Sequence, residues 1–222
     1  MSRCKSNRPV RFPWRRLPRL LLPLLLLLLP CGCTGGSAAG SLRAESLGDD
    51  PIVLGAQYVV AVYAQDADGE ASFFLADVPV EDLLAGTFTA GQVMHIELLW
   101  RPKAGATPMD ASATNASIRH IIMSGGELGV YGGAGFAMPQ GKPGEKKMRI
   151  SLRDATVRLL EATDGFADPL SPARVTGNFT AVHDPQTARK LHWAISQIVT
   201  NALGRSRFVA RPVTGADLAA GS

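Results

Sequence analysis

Four histidines, His95, His120, His183 and His192, are the residues of this 222-residue chain best suited to metal or proton chemistry. His95 and Glu97 stand two apart, so on an extended strand they share a face. His120 on a neighbouring strand would complete a set of two imidazoles and one carboxylate, as non-haem metals use. The bland reading competes directly. Met94, Ile96, Leu98 and Trp100 alternate with His95, Glu97 and Leu99, so the apolar set makes the core face and the histidine side faces water. No ligand motif of fixed spacing is present, and the solvent-facing reading is preferred, with no metal and no cofactor. The glycine-rich stretch Gly125 to Gly135 raises phosphate binding, because glycine lets backbone amides approach an anion. Neither a dinucleotide spacing nor a following helix supports it, and Gly141-Lys142 runs into Pro143 instead of Ser or Thr. Such glycines suit bulges, bends or close sheet packing.

Nucleophilic catalysis finds little footing. No G-x-S-x-G occurs, and no cysteine follows residue 33. Asp154, Asp164 and Asp168 lie beside Ala, Gly and Pro and read as turn formers, so no catalytic residue is assigned. A cell-envelope hydrolase that uses these acidic loop residues is the alternative. The sequons Asn115-Ala-Ser117 and Asn178-Phe-Thr180 matter only in a eukaryotic secretory pathway.

The N-terminus carries the clearest signal. Residues 1–20 hold seven basic and no acidic side chains, and nine leucines occupy the ten positions Leu20 to Leu29. A basic start followed by a short apolar core is the layout of an export signal. As a helix the core reaches about 15 Å, half of a hydrocarbon layer of about 30 Å, so it is too short to span stably. Leu29-Pro30-Cys31-Gly32-Cys33 resembles the lipobox that ends the signal of bacterial lipoproteins. The resemblance covers residues 1–33 and implies cleavage before Cys33, whose thiol carries diacylglycerol. Cys31, after Pro30, is the lesser option. Pro30 departs from the leucine the family prefers three places before the cysteine. The resemblance further implies a cell-envelope location. Thr34 is not the aspartate that retains such proteins in the inner membrane, which points to the outer membrane if there is one.

Removing that signal changes the charge. Seven of 23 basic residues leave with it and all 19 acidic residues remain, so the mature chain carries 16 − 19 = −3. A basic pI then no longer argues for nucleic acid, and none is expected as a partner. The boundaries read as a signal over 1–32, a lipidated cysteine with a Gly/Ala/Ser-rich tether over 33–50, one globular domain over 51–212 and a disordered tail over 213–222.

Within the domain, β-branched and aromatic runs at 57–64, 71–80, 92–100, 118–123, 147–152, 155–160 and 174–182 predict about seven strands. The first two form a hairpin around Asp68-Gly69. Lys147 to Leu152 alternates Met148, Ile150 and Leu152 with Arg149, Ser151 and Arg153, the mark of an antiparallel sheet with one wet side. Pro185 to Leu203 predicts one helix, capped by Asp184 and Gly204, whose stripe Leu191, Ala194, Ile195, Ile198 and Ala202 packs on the sheet. The fold class is α+β, mainly β: an antiparallel sandwich or partly closed barrel with one C-terminal helix. The expected role is non-enzymatic, binding or structural, with the membrane as partner through the N-terminal lipid. An envelope protein or a hydrophobic ligand is the other partner expected. The ligand would sit in a pocket lined by Phe73, Phe74, Tyr131, Phe136, Phe166 and Trp193. Oligomeric state is left open.

Overall fold

Leu42 and Ala44 are two apart and both buried, and this short alternation is enough to make a strand where composition suggested tether. In the computed structural model, which describes residues 39–65, 70–102, 114–142 and 144–208, strand β1 spans Gly40–Ser46. It lies between β2 (Val53–Tyr58) and the late strand β9 (Ala173–His183). The 33–50 tether is thereby corrected: its second half belongs to the domain. The 1–32 signal, Cys31 and Cys33, the first tether residues and the 213–222 tail lie outside the described residues.

Seven further elements build the rest. They are β3 (Val60–Gln65), β4 (Ala71–Ala76), a short helix α1 (Val80–Ala85), β5 (Ala90–Leu98), β6 (Ala116–Ser124), β7 (Glu127–Gln140) and β8 (Lys147–Ala162). After β9 comes α2 (Pro185–Leu203). The strands form one sheet in the order β2-β1-β9-β3-β4-β5-β6-β7-β8, and β8 also pairs with β9. That second pairing bends the sheet into a ring of seven strands, β3 to β9. The β3–β9 seam is short and parallel, Val62 with Val182 and Tyr63 with His183. Among the described residues no helix is long and apolar enough to cross a membrane.

Two departures from the predicted strands have plain physical causes. The 147–152 and 155–160 runs are one strand, β8, broken only in phase. Met148, Ile150 and Leu152 are buried as expected, and then Ala155 and Val157 take over the inner positions. A bulge between Leu152 and Ala155, with Asp154 at φ 47°, supplies the extra residue that shifts the alternation. The glycine-rich stretch is strand too. Gly125 and Gly126, at φ 61° and 89°, turn the β6–β7 hairpin. Inside β7, a side chain at Gly133 would lie 1.8 Å from the Thr156 carbonyl oxygen, so only glycine permits the close approach of β8.

Two cores result. Inside the ring, Tyr63, Phe73, Ile96, Ile118, Phe179 and their neighbours are almost fully buried, with ring centroids 5.5 Å apart for Tyr63–Phe73 and 5.8 Å for Phe73–Phe179. A ring this small is filled by its own side chains. Outside it, α2 lays Leu191, Ile195 and Val199 over Phe74, Val93, Ile121 and Val130 of β4 to β7. The helix ends match the sequence reading: Asp184 accepts from the Thr187 amide at 2.9 Å, and Gly204 closes the C-terminus in the left-handed region.

Candidate functional site

Strand register decides the fate of the metal set. His95 pairs across the β5–β6 ladder with Arg119, whereas His120 pairs with Met94. Adjacent positions on a strand point to opposite faces, so the two imidazoles sit on opposite sides of the sheet. No cluster able to hold a metal ion occurs among the described residues. The solvent-facing reading is overturned as well. His95 and His120 are only 3% and 1% exposed, because α2 and Phe208 cover the outer face of β5 while the ring encloses the inner one.

On the outer face, His95 stacks on Phe74 at 4.6 Å and meets Phe208 edge-on at 5.4 Å, with His192 of α2 completing the group. Burial, then the cationic influence of His192 and Arg119, pushes the His95 imidazole down to about 3. Its Nε2 has no hydrogen-bond partner. This is a neutral aromatic wedge under the helix.

The inner face holds a more suggestive group, at the end of the ring where β5 begins and β6 ends. His120 Nε2 lies 3.0 Å from Gln92 Oε1, which places the ring proton on Nε2 and leaves Nδ1 a bare acceptor without partner. Burial pushes this imidazole down to about 4. The Tyr58 hydroxyl is likewise buried and unpartnered, and burial together with the Asp77 carboxylate pushes its pKa up. Asp77 is itself raised by burial, although the Gln92 backbone N–H donates to it at 2.6 Å. The Tyr58 hydroxyl and His120 Nδ1 are thus a neutral donor and a neutral acceptor at pH 7, both closed off from solvent. Neither is a strong base, so proton abstraction is poorly served.

The acidic loop residues have structural work. Asp168 Oδ1 accepts from the Tyr131 hydroxyl at 2.7 Å and from the Leu170 and Ser171 amides at 3.0 Å each. Burial works against its charge, and these donors outweigh it and hold the carboxyl below its ordinary range. Asp154 occupies the bulge, 3.8 Å from Arg174. Asp164 borders an outer hollow of about 490 Å³ with Glu127 and Glu161. There Glu161 is held by Arg205 and by Arg207 at 2.6 Å, and Glu127 takes the Thr163 hydroxyl and the Gly165 amide. Asp168, Glu127 and Glu161 are thus each held by hydrogen bonds or ion pairs.

The six aromatic residues expected to line one pocket are dispersed. Phe73 and Tyr131 fill the ring, Phe74 lies under α2, Phe136 meets Trp100 at 6.3 Å, and Phe166 seals the ring against Tyr131. Trp193 points to solvent, 59% exposed. The pocket is withdrawn. Of the two sequons, Asn115 is fully buried with its amide bonded to the Trp100 and Ala137 carbonyls, so it is closed to a glycosyltransferase in the fold.

Sequence reasoning missed Tyr58, Gln92 and Asp77. The only signal was that Gln92 sits in phase with Met94 and Ile96, a polar residue at an inward position. Compared with known protein families, curated proteins and solved structures, the chain gives no significant match.

Proposed function

We propose that this chain is an exported, lipid-anchored protein of the cell envelope that binds a partner or supports the envelope and does no catalysis. One observation carries the reading: a basic start and a ten-residue apolar core run directly into Gly32-Cys33. The fold is compatible with it, since β1 begins at Gly40, seven residues after Cys33, leaving a short leash between bilayer and barrel. The absence of cysteine after residue 33 leaves core burial to hold the domain, and the two cores supply it. The non-catalytic side of the reading is supported by Asp168, Glu127 and Glu161, which are held by hydrogen bonds and ion pairs, and by the neutral Tyr58 hydroxyl and His120 Nδ1, which are poor bases.

The test is metabolic labelling with radioactive palmitate in a bacterial host, with intact mass of the membrane-extracted protein. The parent should carry label and a diacylglycerol-plus-acyl increment at Cys33, and Cys33→Ser should lose both. An unmodified polypeptide mass for the parent overturns the anchor. Label that persists in Cys33→Ser and disappears in Cys31→Ser moves the site to Cys31.

A further inference from the structure

Among the described residues α2 packs on the outer face of β3 to β7, and over β8, β9 and β1 the chain after it reaches only Glu161, through Arg205 and Arg207. The outer face of these three strands and the β7–β8 hairpin beside it carry Lys142, Lys146, Lys147, Arg149 and Arg153, all exposed. From Lys142 to Arg153, Glu145 is the single acid, so this stretch sums to 5 − 1 = +4 in a mature chain of −3, and the next residue, Asp154, is paired with Arg174. Among the described residues none of the five cations has an ion-pair partner, whereas Arg43, Arg174, Arg205 and Arg207 all do. What sets this patch apart is five exposed cations within twelve residues of chain. Acids at the same end of the barrel, Glu70 before β4 and Asp184 capping α2, sit beside the helix-covered strands.

The patch is also where the chain arrives. A hollow of about 590 Å³ there is lined by Ala39, Arg149, Ser151, Arg153, Asn178 and Thr180 among others. The Thr180 amide donates to the Ala39 carbonyl at 2.9 Å, and Thr180 pairs with Arg149 on its other side. Ala39 is therefore two strand spacings from Arg149, roughly 10 Å. From Cys33 to Ala39 there are six residue steps, which span at most about 20 Å. We infer that this face is a second membrane contact, in which Lys142, Lys146, Lys147, Arg149 and Arg153 meet the phosphates of an anionic phospholipid surface and lay the barrel against it. Ser151, Asn178 and Thr180 offer neutral donors between the cations. The inference rests on the proposed anchor, because the anchor is what presents this face to the bilayer. The several acyl chains of that anchor hold the protein at the membrane, and the basic patch sets which face of the barrel lies against an anionic surface.

The experiment uses the full protein extracted from membranes. It is reconstituted into vesicles of phosphatidylcholine alone or mixed with phosphatidylglycerol, and lysine acetylation is read by mass spectrometry. On the anionic vesicles Lys142, Lys146 and Lys147 should be acetylated several-fold more slowly than on the neutral ones, and high salt should abolish the difference. Lys190, on α2, should react alike on both. Arg149→Ala with Arg153→Ala should weaken the contact about twenty-fivefold, at roughly fivefold per cation removed. Both sites are exposed, so an unchanged melting midpoint will show that the fold is intact. Equal acetylation on the two vesicles overturns the inference. Protection by inorganic phosphate without vesicles overturns it too, and assigns the hollow to a soluble anion. Failure of the anchor is read separately, from the intact mass of the same sample.

Discussion

The buried histidines make the stability of this domain a steep function of pH. In the unfolded chain an imidazole takes up its proton as pH falls through about 6.5. In the fold, His95 resists until about 3 and His120 until about 4. Between those limits the unfolded state binds more protons, so stability is full above about pH 6.5 and declines as pH falls. Each group contributes a slope of about 1.4 kcal/mol per pH unit until its folded form titrates, so the pair loses about 4 kcal/mol by pH 5 and about 6 by pH 4. A domain with a typical 5–15 kcal/mol of stability is then brought close to unfolding by roughly pH 4. Asp168 and Asp184, both held below the ordinary carboxyl range by hydrogen bonds, add to the loss only at still lower pH.

Urea titrations at stepped pH measure this directly, with the unfolding free energy taken by linear extrapolation. The decisive variant is His95→Phe, which keeps an aromatic ring against Phe74 and Phe208 and removes the titration. Its slope between about pH 6 and 4 should be about half that of the parent. A parent whose stability is flat from pH 7 to pH 5, or a His95→Phe slope equal to the parent's, refutes the burial argument.

Other expectations follow from packing. Leu191→Ala, at a fully buried position of α2, should cost about 2–5 kcal/mol in urea unfolding, while Trp193→Ala on the exposed face should stay within about 0.5. Gly133→Ala forces β7 away from the Thr156 carbonyl and should lower the melting midpoint by about 4–8 °C, for a loss of about 2 kcal/mol, whereas Gly48→Ala, with open space around it, should not. Tyr131→Phe removes the hydroxyl that charges Asp168's turn and should cost about 1–3 kcal/mol in thermal unfolding, with no change in any hydrolytic turnover.

Local rules were legible wherever one residue sufficed to state them. Asp184, Pro185 and Gly204 bound α2, and the alternation of Met148, Ile150 and Leu152 gave the inner face of β8. What stayed hidden depends on contacts remote in sequence. Gly129, Gly132, Gly133 and Gly135 argue against a strand by propensity, yet Phe166, Leu160, Thr156 and Ala155 occupy the space their side chains would need. β1 was masked for a related reason, since Gly40, Ser41 and Ala44 look like linker until β9 stands beside them. His95 misled because an isolated strand shows polar against apolar faces, and only the arrival of α2 and Phe208 makes the polar face an interior. The candidate site was barely legible: an inward Gln92 is a weak flag, and the Tyr58 hydroxyl and His120 Nδ1 become notable only when the ring closes without giving them partners.

The same asymmetry that hid the site also constrains what the protein can recognise. Strands β4 to β7 are apolar on both faces, Phe73 with Phe74 and Met94 with Val93, so they demand a cover on the outside, and α2 supplies it. Strands β8, β9 and β1 are apolar on one face only, with Arg, Ser, Asn and Thr outward, so no helix is drawn over them. The lumen, meanwhile, is packed with Tyr63, Phe73 and Phe179. The proposed anchor would bring the cationic flank of β8, two strands from Ala39, toward the bilayer.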